Sequence, residues 1–208
     1  LGRVPAEVVV PVYPLAPDAT ADDVLPRLLE LVDDGRDLPT VLMGDSAGGA
    51  LVLVLARLAR DRGIPVAGVV ALSPWLDATL QVREDEVQSL EVTDPMLAET
   101  GLRAAGRAWS GERSVEDPLI SPVHLDLDGL PPIDLFIGDR DILRPAVDEL
   151  AQRAGDIRHL REVGNAAHIE PMPELGDAHL DLALLDADRG QRLAEFLARQ
   201  ADQRGFFV

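Results

Sequence analysis

The stretch that most constrains the fold is residues 40–63, which read TVLMGDSAGGALVLVLARLARDRG. Residues 40–43 form a short apolar run that stops at a glycine, which predicts a buried strand. Residues 50–60 predict a buried helix, because they are apolar almost all round at first and carry arginines near their end, with Gly63 just beyond. The chain must therefore turn from strand to helix within residues 44–49.

The residues of this turn are Gly44, Asp45, Ser46, Ala47, Gly48 and Gly49. The pattern G-x-S-x-G between a strand and a helix is typical of a nucleophile elbow, a turn so tight that its flanking positions need to lack side chains. Ser46 is then predicted to stand exposed at the apex as a nucleophile. The alternative is that Ser46 only caps the helix. A cap explains neither Gly44 nor the pair Gly48 and Gly49, so we favour the elbow.

The rest of the chain alternates strand patterns with helix patterns. Further strands are predicted over residues 6–12, 65–72, 131–138 and 156–163. Helices are predicted over residues 21–33, 80–90, 95–109, 142–155 and 189–203. Such alternation indicates βαβ units, and hence an α/β fold with a mainly parallel sheet flanked by helices. At 208 residues the chain is predicted to form one domain, residues 1–208.

Composition narrows the possible partners and compartments. The net charge of −18, from 37 acidic and 19 basic residues, argues against nucleic acid and anionic membranes, because both would be repelled. The absence of cysteine excludes disulfides, thiol catalysis and cysteine metal sites. No apolar run approaches the roughly 18 residues that cross a bilayer. We therefore predict a cytoplasmic location, with an upstream signal left open because the chain opens at Leu1 rather than at methionine.

A nucleophilic serine needs a base, usually a histidine that a carboxylate holds in one tautomer. For an elbow serine the order along the chain is serine, acid, histidine. His124 breaks that order, and His159 falls within a predicted strand. His168 lies in the loop directly after the last predicted strand of the sheet, where the base belongs, although it could also be an ordinary loop histidine. His179 stays in reserve.

Three aspartates compete for the role of the acid. Asp139 and Asp141 both follow the apolar run of residues 133–137. Asp141 is further into the loop and has more room to turn across the edge of the sheet. Its alternative role is to cap the helix that is predicted to start at residue 142. Asp77, after the preceding strand, is the third candidate, so position alone leaves the acid open.

Several segments, in order along the chain, match short motifs of one enzyme family. They are residues 13–18 (YPLAPD, for Y-R-L-A-P-E), 44–49 (GDSAGG), 72–77 (LSPWLD, for S-P-W-x-D), 117–122, 129–132, 138–143 (GDRDIL, for G-x-x-D-x-L) and the loop 164–168. On these motifs the chain resembles the hormone-sensitive-lipase-like branch of the α/β-hydrolase esterases. The resemblance implies the α/β-hydrolase fold, with residues 79–117 as a cap-related insertion.

The resemblance also implies roles for individual residues. Ser46 becomes the nucleophile, Asp141 the acid and His168 the base, while Asp77 and His124 drop out. The backbone N–H of Ala47 would bind the oxyanion. The reaction implied is hydrolysis of short- to medium-chain carboxylic esters through an acyl-enzyme, with a small-molecule ester as the partner and no metal or organic cofactor.

The sequence also departs from the family pattern. Pro14 replaces an arginine, and residues 168–170 read HIE in place of His-Gly-Phe. No H-G-G-G loop, which supplies part of the family's oxyanion hole, precedes Tyr13. The chain thus resembles the C-terminal two thirds of such an enzyme, and we expect little or no activity from it alone. We also expect an exposed sheet edge that could support a homo-oligomer. The alternative function is a catalytically impaired binding protein or a truncated remnant.

Overall fold

The computed structural model describes residues 8–33, 39–154, 159–163 and 205–207, the last two ranges as backbone only. Its centre is a five-stranded sheet in the order β4-β3-β2-β1-β5. The strands are β1 (Thr40–Asp45), β2 (Gly68–Leu72), β3 (Ile133–Gly138), β4 (His159–Val163) and β5 (Gly205–Phe207). All four neighbouring pairs are parallel, which confirms the predicted α/β architecture.

Five α-helices accompany the sheet within the described residues. They are α1 (Ala21–Val32), α2 (Ala47–Arg62), α3 (Glu84–Glu91), α4 (Glu99–Ser110) and α5 (Arg144–Ala154). Helix α2 is the most buried, and Leu53 and Ala56 in it are fully buried. It ends as predicted at Gly63, which has φ +70° and donates its N–H to the carbonyl of Arg60 at 3.0 Å. Among the described residues, no helix is both long and apolar enough to cross a membrane.

The register of the sheet decides which loops meet. Asp45 at the end of β1 pairs with Leu72 at the end of β2, and Leu72 pairs with Phe136 in β3. Parallel strands place their carboxyl ends at one edge of a sheet, and ligands of such sheets bind there. The loops that follow Asp45, Leu72 and Gly138 therefore lie side by side.

The predicted strand over residues 6–12 is wrong for its described part. Residues 8–12 pair with no strand of the described chain, and Val8, Val10 and Val12 are 48%, 67% and 100% exposed. The valine pattern correctly suggests an extended chain, but a strand also needs a neighbour to bond with. On the side of β1 away from β2, the described neighbour is β5, which pairs with Thr40–Leu42. Association of two chains through a sheet edge stays a prediction.

Several helices begin later than predicted, because carboxylates hold the preceding residues in turns. The helix predicted from residue 80 starts at Glu84, and the one predicted from residue 95 starts at Glu99. Before them, Asp77 and Asp94 accept backbone N–H groups of the following residues. These aspartates compete with helical hydrogen bonding. The helix predicted over 189–203 lies outside the described residues.

Candidate active site

Ser46 adopts a backbone conformation that a serine rarely takes. Its φ of 53° and ψ of −116° lie at the junction of β1 and α2. Such a conformation costs about 1–3 kcal/mol and persists only where the surroundings impose it. Here the N–H of Ser46 donates to the carbonyl of Leu72 at 2.9 Å, and its own carbonyl accepts the N–H groups of Ala50 at 3.2 Å and Trp75 at 2.9 Å. The strained turn is therefore held from the next strand, the next helix and the next loop.

The three glycines of the turn are not equivalent. A Cβ on Gly44 would overlap the carbonyl group of Gly48, and a Cβ on Gly49 would lie 2.8 Å from the Cβ of Pro74. A Cβ on Gly48 would meet no described atom within 4 Å. The expectation that the flanking positions must lack side chains therefore holds at Gly44 and is wrong at Gly48, while Gly49, just outside the pentapeptide, also has no room for a Cβ. The close approach at Gly44 comes from Gly48 within the pentapeptide, whereas the one at Gly49 comes from the loop after β2, which the pentapeptide does not contain.

Ser46 itself is half-buried, and Ala47 beside it is exposed. Ala47 is the first residue of α2, a helix of 16 residues. The first N–H groups of a helix have no partner within the helix, and the helix dipole places partial positive charge there. The N–H of Ala47 is therefore available next to the serine for a developing negative charge.

Asp141 is fully buried in the loop after β3. Its Oδ1 accepts the N–H of Leu143 at 2.9 Å, and its carbonyl accepts the N–H of Arg144 at 3.0 Å. The alternative role as a helix cap is thus partly realised, since the carboxylate supports the turn that leads into α5. That role does not exclude a second one, because a carboxylate has two oxygens and about four acceptor positions.

Asp77 uses its carboxylate differently. Its Oδ1 accepts the N–H and the hydroxyl of Thr79 at 2.8 and 2.6 Å, and its Oδ2 accepts the N–H groups of Gln81 and Val82 at 3.0 and 2.9 Å. Both oxygens are committed to the loop that precedes α3. Asp139 is half-buried, and its Oδ1 accepts no hydrogen bond within the described part of the chain.

The histidines fall into two groups. His124 is exposed at the end of a 3₁₀ turn, Pro122–His124, and His159 begins β4 opposite Asp134. The position of His159 in a strand agrees with its predicted location. His168 and His179 lie outside the described residues. The described site thus contains the elbow and the two aspartates after β3, and the assignment of the base stays a prediction.

A family model for the alpha/beta hydrolase fold matches residues 2–173. The chain belongs to the α/β-hydrolase fold family. A triacylglycerol lipase of Mycobacterium tuberculosis is 34% identical over 167 residues, which cover 77% of this chain and 32% of the lipase. An acetyl-hydrolase of Streptomyces hygroscopicus is 30% identical over 142 residues, which cover 66% of this chain and 47% of that protein.

Solved structures extend the relationship. The crystal structure of an esterase from the bacterial hormone-sensitive lipase family matches this α/β hydrolase with a TM-score of 0.74 and 26% identity. The match covers 91% of this chain and 64% of that esterase. The resemblance to the hormone-sensitive-lipase-like branch is thereby confirmed. This α/β hydrolase spans less than two thirds of the length of each of these relatives.

Sequence reasoning missed two residues of the site. Trp75 donates its backbone N–H to Ser46 and its indole N–H to the carbonyl of Asp77 at 3.0 Å, so it links the elbow to the neighbouring loop. Asp94 accepts the N–H of Ile142, directly after Asp141. The motif S-P-W-x-D could have pointed to Trp75. Nothing local distinguishes Asp94 from an ordinary helix cap.

No group of three or more His, Asp or Glu side chains in the described ranges is arranged to hold a metal ion. Asp77 and Asp94 accept backbone N–H groups from the loops around them. The described site offers a serine hydroxyl at the N-terminus of α2 and, in the loop after β3, a buried carboxylate.

Proposed function

We propose that this α/β hydrolase carries the nucleophile, acid and base of a carboxylic ester hydrolase in Ser46, Asp141 and His168. The observation that carries the proposal is the strained backbone of Ser46, φ 53°, held at the strand-to-helix junction by three hydrogen bonds. A serine that only capped a helix would take an ordinary extended conformation, as Thr20 does before α1. Maintaining the strain makes sense where the hydroxyl must be presented to a substrate.

In the proposed reaction, the hydroxyl oxygen of Ser46 attacks the ester carbonyl carbon while His168 accepts the hydroxyl proton. The carbonyl oxygen becomes negative and accepts the N–H of Ala47. The intermediate then expels the alcohol, which takes the proton from His168 and leaves an acyl group on Ser46. Water, deprotonated by His168, attacks this acyl-enzyme, and the acid departs as the serine regains its proton. Asp141 orients His168 and stabilises its charged form.

The substrate class rests on the relatives. The curated relatives are a triacylglycerol lipase and an acetyl-hydrolase, and the structural relative is an esterase. These names support carboxylic esters as the substrate class, and the short to medium chain length stays the expectation from the sequence resemblance. In this proposal residues 79–117 form the cap-related insertion of a single domain. Support comes from Gly106 in α4, where a Cβ would lie 2.8 Å from the Cβ of Ala78. The cytoplasmic location stays a prediction.

The oxyanion site limits the expected rate. In this proposal Ala47 supplies one N–H donor, and residues 1–208 contain no H-G-G-G motif. Loss of one oxyanion donor lowers the rate about 10²–10³-fold. We therefore expect the 208-residue chain by itself to turn over esters at least that much more slowly than a hydrolase with a complete site. Ester turnover by this chain at ordinary esterase rates would contradict the expectation.

The test is covalent labelling with a fluorophosphonate probe, followed by intact-mass analysis. Labelling requires a serine activated by a base, but it needs no completed turnover. Wild-type protein is expected to gain one adduct, and Ser46→Ala is expected to gain none. Ser121→Ala is the matched control, because Ser121 is a fully buried serine whose hydroxyl bonds to the carbonyl of Val115. Folded wild-type protein that takes no adduct would favour the alternative of an impaired binding protein or a remnant.

A further inference from the structure

Asp94 links the segment between α3 and α4 to the loop after β3. It is only 8% exposed. Its Oδ1 accepts the N–H groups of Met96 and Leu97 at 2.9 and 3.0 Å. Its Oδ2 accepts the N–H of Ile142 at 3.1 Å, 48 residues further along the chain. One carboxylate thus fixes two loops at once.

The residue that Asp94 holds directly follows Asp141. The next N–H, that of Leu143, donates to Oδ1 of Asp141 at 2.9 Å. Two consecutive N–H groups are therefore taken by two different carboxylates, one from the loop itself and one from the insertion. The bond between Leu143 and Asp141 lies within the loop, so by itself it would allow the whole loop to move together with Asp141. The bond to Asp94 ties the loop to a point outside it.

We propose that Asp94 is a positioning residue for Asp141: it holds the backbone of the loop after β3, so that the insertion of residues 79–117 helps to set the geometry of the catalytic acid. The inference rests on the proposed function, because it assigns Asp141 to the acid. Bonds between a charged acceptor and buried N–H groups are roughly twice as strong as neutral ones. Small displacements in a catalytic group are costly, and about 1 Å is enough to lower a rate 10²-fold.

The variant that tests this is Asp94→Asn. Asparagine keeps the size of the side chain, but its single carbonyl oxygen serves either the 96–97 turn or Ile142, and its NH₂ group faces the other donors. The control is Asp117→Asn. Asp117 lies in the same segment, accepts the N–H of Leu119 at 2.9 Å and pairs with Arg113 at 3.0 Å.

Two measurements separate the steps of the inference. The first is amide hydrogen exchange at Ile142, which reports whether Asp94 holds the N–H of Ile142 and does not require an active enzyme. We expect Asp94→Asn to speed this exchange at least about tenfold and Asp117→Asn to leave it unchanged. The second is the rate of Ser46 phosphonylation over a range of probe concentrations. We expect Asp94→Asn to lower the maximal rate about tenfold, with the half-saturating concentration nearly unchanged.

Exchange at Ile142 that stays unchanged both in Asp94→Asn and in Asp94→Ala, which removes both acceptor oxygens, would overturn the proposed restraint by Asp94. Faster exchange with an unchanged maximal labelling rate would overturn the link to Asp141 and leave Asp94 with a purely structural role. The same loss of labelling rate in Asp117→Asn would also count against the inference, because that variant does not touch the loop. Folded wild-type protein that is never labelled would instead overturn the proposed function, and that result is independent of the exchange at Ile142.

Discussion

Replacing Gly49 by alanine tests how the elbow is held. The added Cβ would lie 2.8 Å from the Cβ and 2.9 Å from the Cα of Pro74, whereas ordinary contact begins at 3.4 Å. The two segments must therefore separate by about 0.6 Å, measured against the same 3.4 Å. Neither side gives way easily, because Pro74 is buried and the next residue, Trp75, is bonded to Ser46. The resulting strain therefore falls on the hydrogen bond from the N–H of Trp75 to the carbonyl of Ser46, which helps to hold the serine in place.

Gly48→Ala is the matched control. Both glycines lie in the first turn of α2, so both variants gain the same helix propensity, about 1 kcal/mol per glycine replaced. Only Gly49→Ala creates an overlap, which typically costs about 1–3 kcal/mol. We expect Gly49→Ala to unfold about 2 kcal/mol more easily than Gly48→Ala, which corresponds to a Tm lower by about 4–8 °C for a chain of this size.

Urea unfolding of the two variants measures this difference, and fluorophosphonate labelling measures its effect on the serine. We expect Ser46 to be labelled about tenfold more slowly in Gly49→Ala, because a shift of Pro74 and Trp75 moves the nucleophile. Gly48→Ala should be as stable as wild type or slightly more stable. Equal stabilities of the two variants, within about 0.5 kcal/mol, would refute the close approach of Pro74.

Two further predictions concern carboxylates away from the serine. Asp77→Ala leaves four donors of residues 79–82 without their acceptor, so we expect the free energy of unfolding in urea to fall by at least about 3 kcal/mol; a loss below about 1 kcal/mol would show that water replaces the carboxylate. The backbone N–H of Thr20, followed by its hydroxyl, lowers the pKa of Asp23. A carboxyl with a lowered folded-state pKa stabilises the fold above its unfolded pKa and loses that effect as the pH falls through the folded value. Asp23→Asn should therefore lower the Tm at neutral pH, and the difference from wild type should shrink below about pH 4; a difference that does not vary with pH would contradict this sign.

Local patterns were enough for the framework of the fold. The strand at residues 40–43 and the helix after it were predictable, because an apolar run, a glycine turn and Gly63 act over neighbouring residues. The parallel sheet followed from the alternation of strands with helices, since a helix between strands brings the chain back to start in the same direction. The strained turn at Ser46 could also be expected, because its motif carries its own steric reason.

The competition between Asp77 and Asp141 shows where local patterns stop. Both follow strands, and nothing adjacent in sequence separates them. In the structure, the carboxylate of Asp77 accepts four donors of the loop that follows it, whereas Asp141 is fully buried and its Oδ1 accepts the N–H of Leu143. Which donors reach a carboxylate depends on how the following loop folds back, and that is a property of the packed chain.

The remaining features depended on residues that are far apart along the chain. Gly48 and Gly49 look alike in the sequence, but only Gly49 would meet Pro74, which lies in the loop after β2. The valines of residues 8–12 have the pattern of a strand and lack a partner among the described strands. Asp94 became part of the site only when the chain brought Ile142 within hydrogen-bonding distance. Periodicity and turn chemistry act between neighbours and can be read from the sequence, whereas steric overlap, strand pairing and long-range hydrogen bonds exist only after distant segments have packed together.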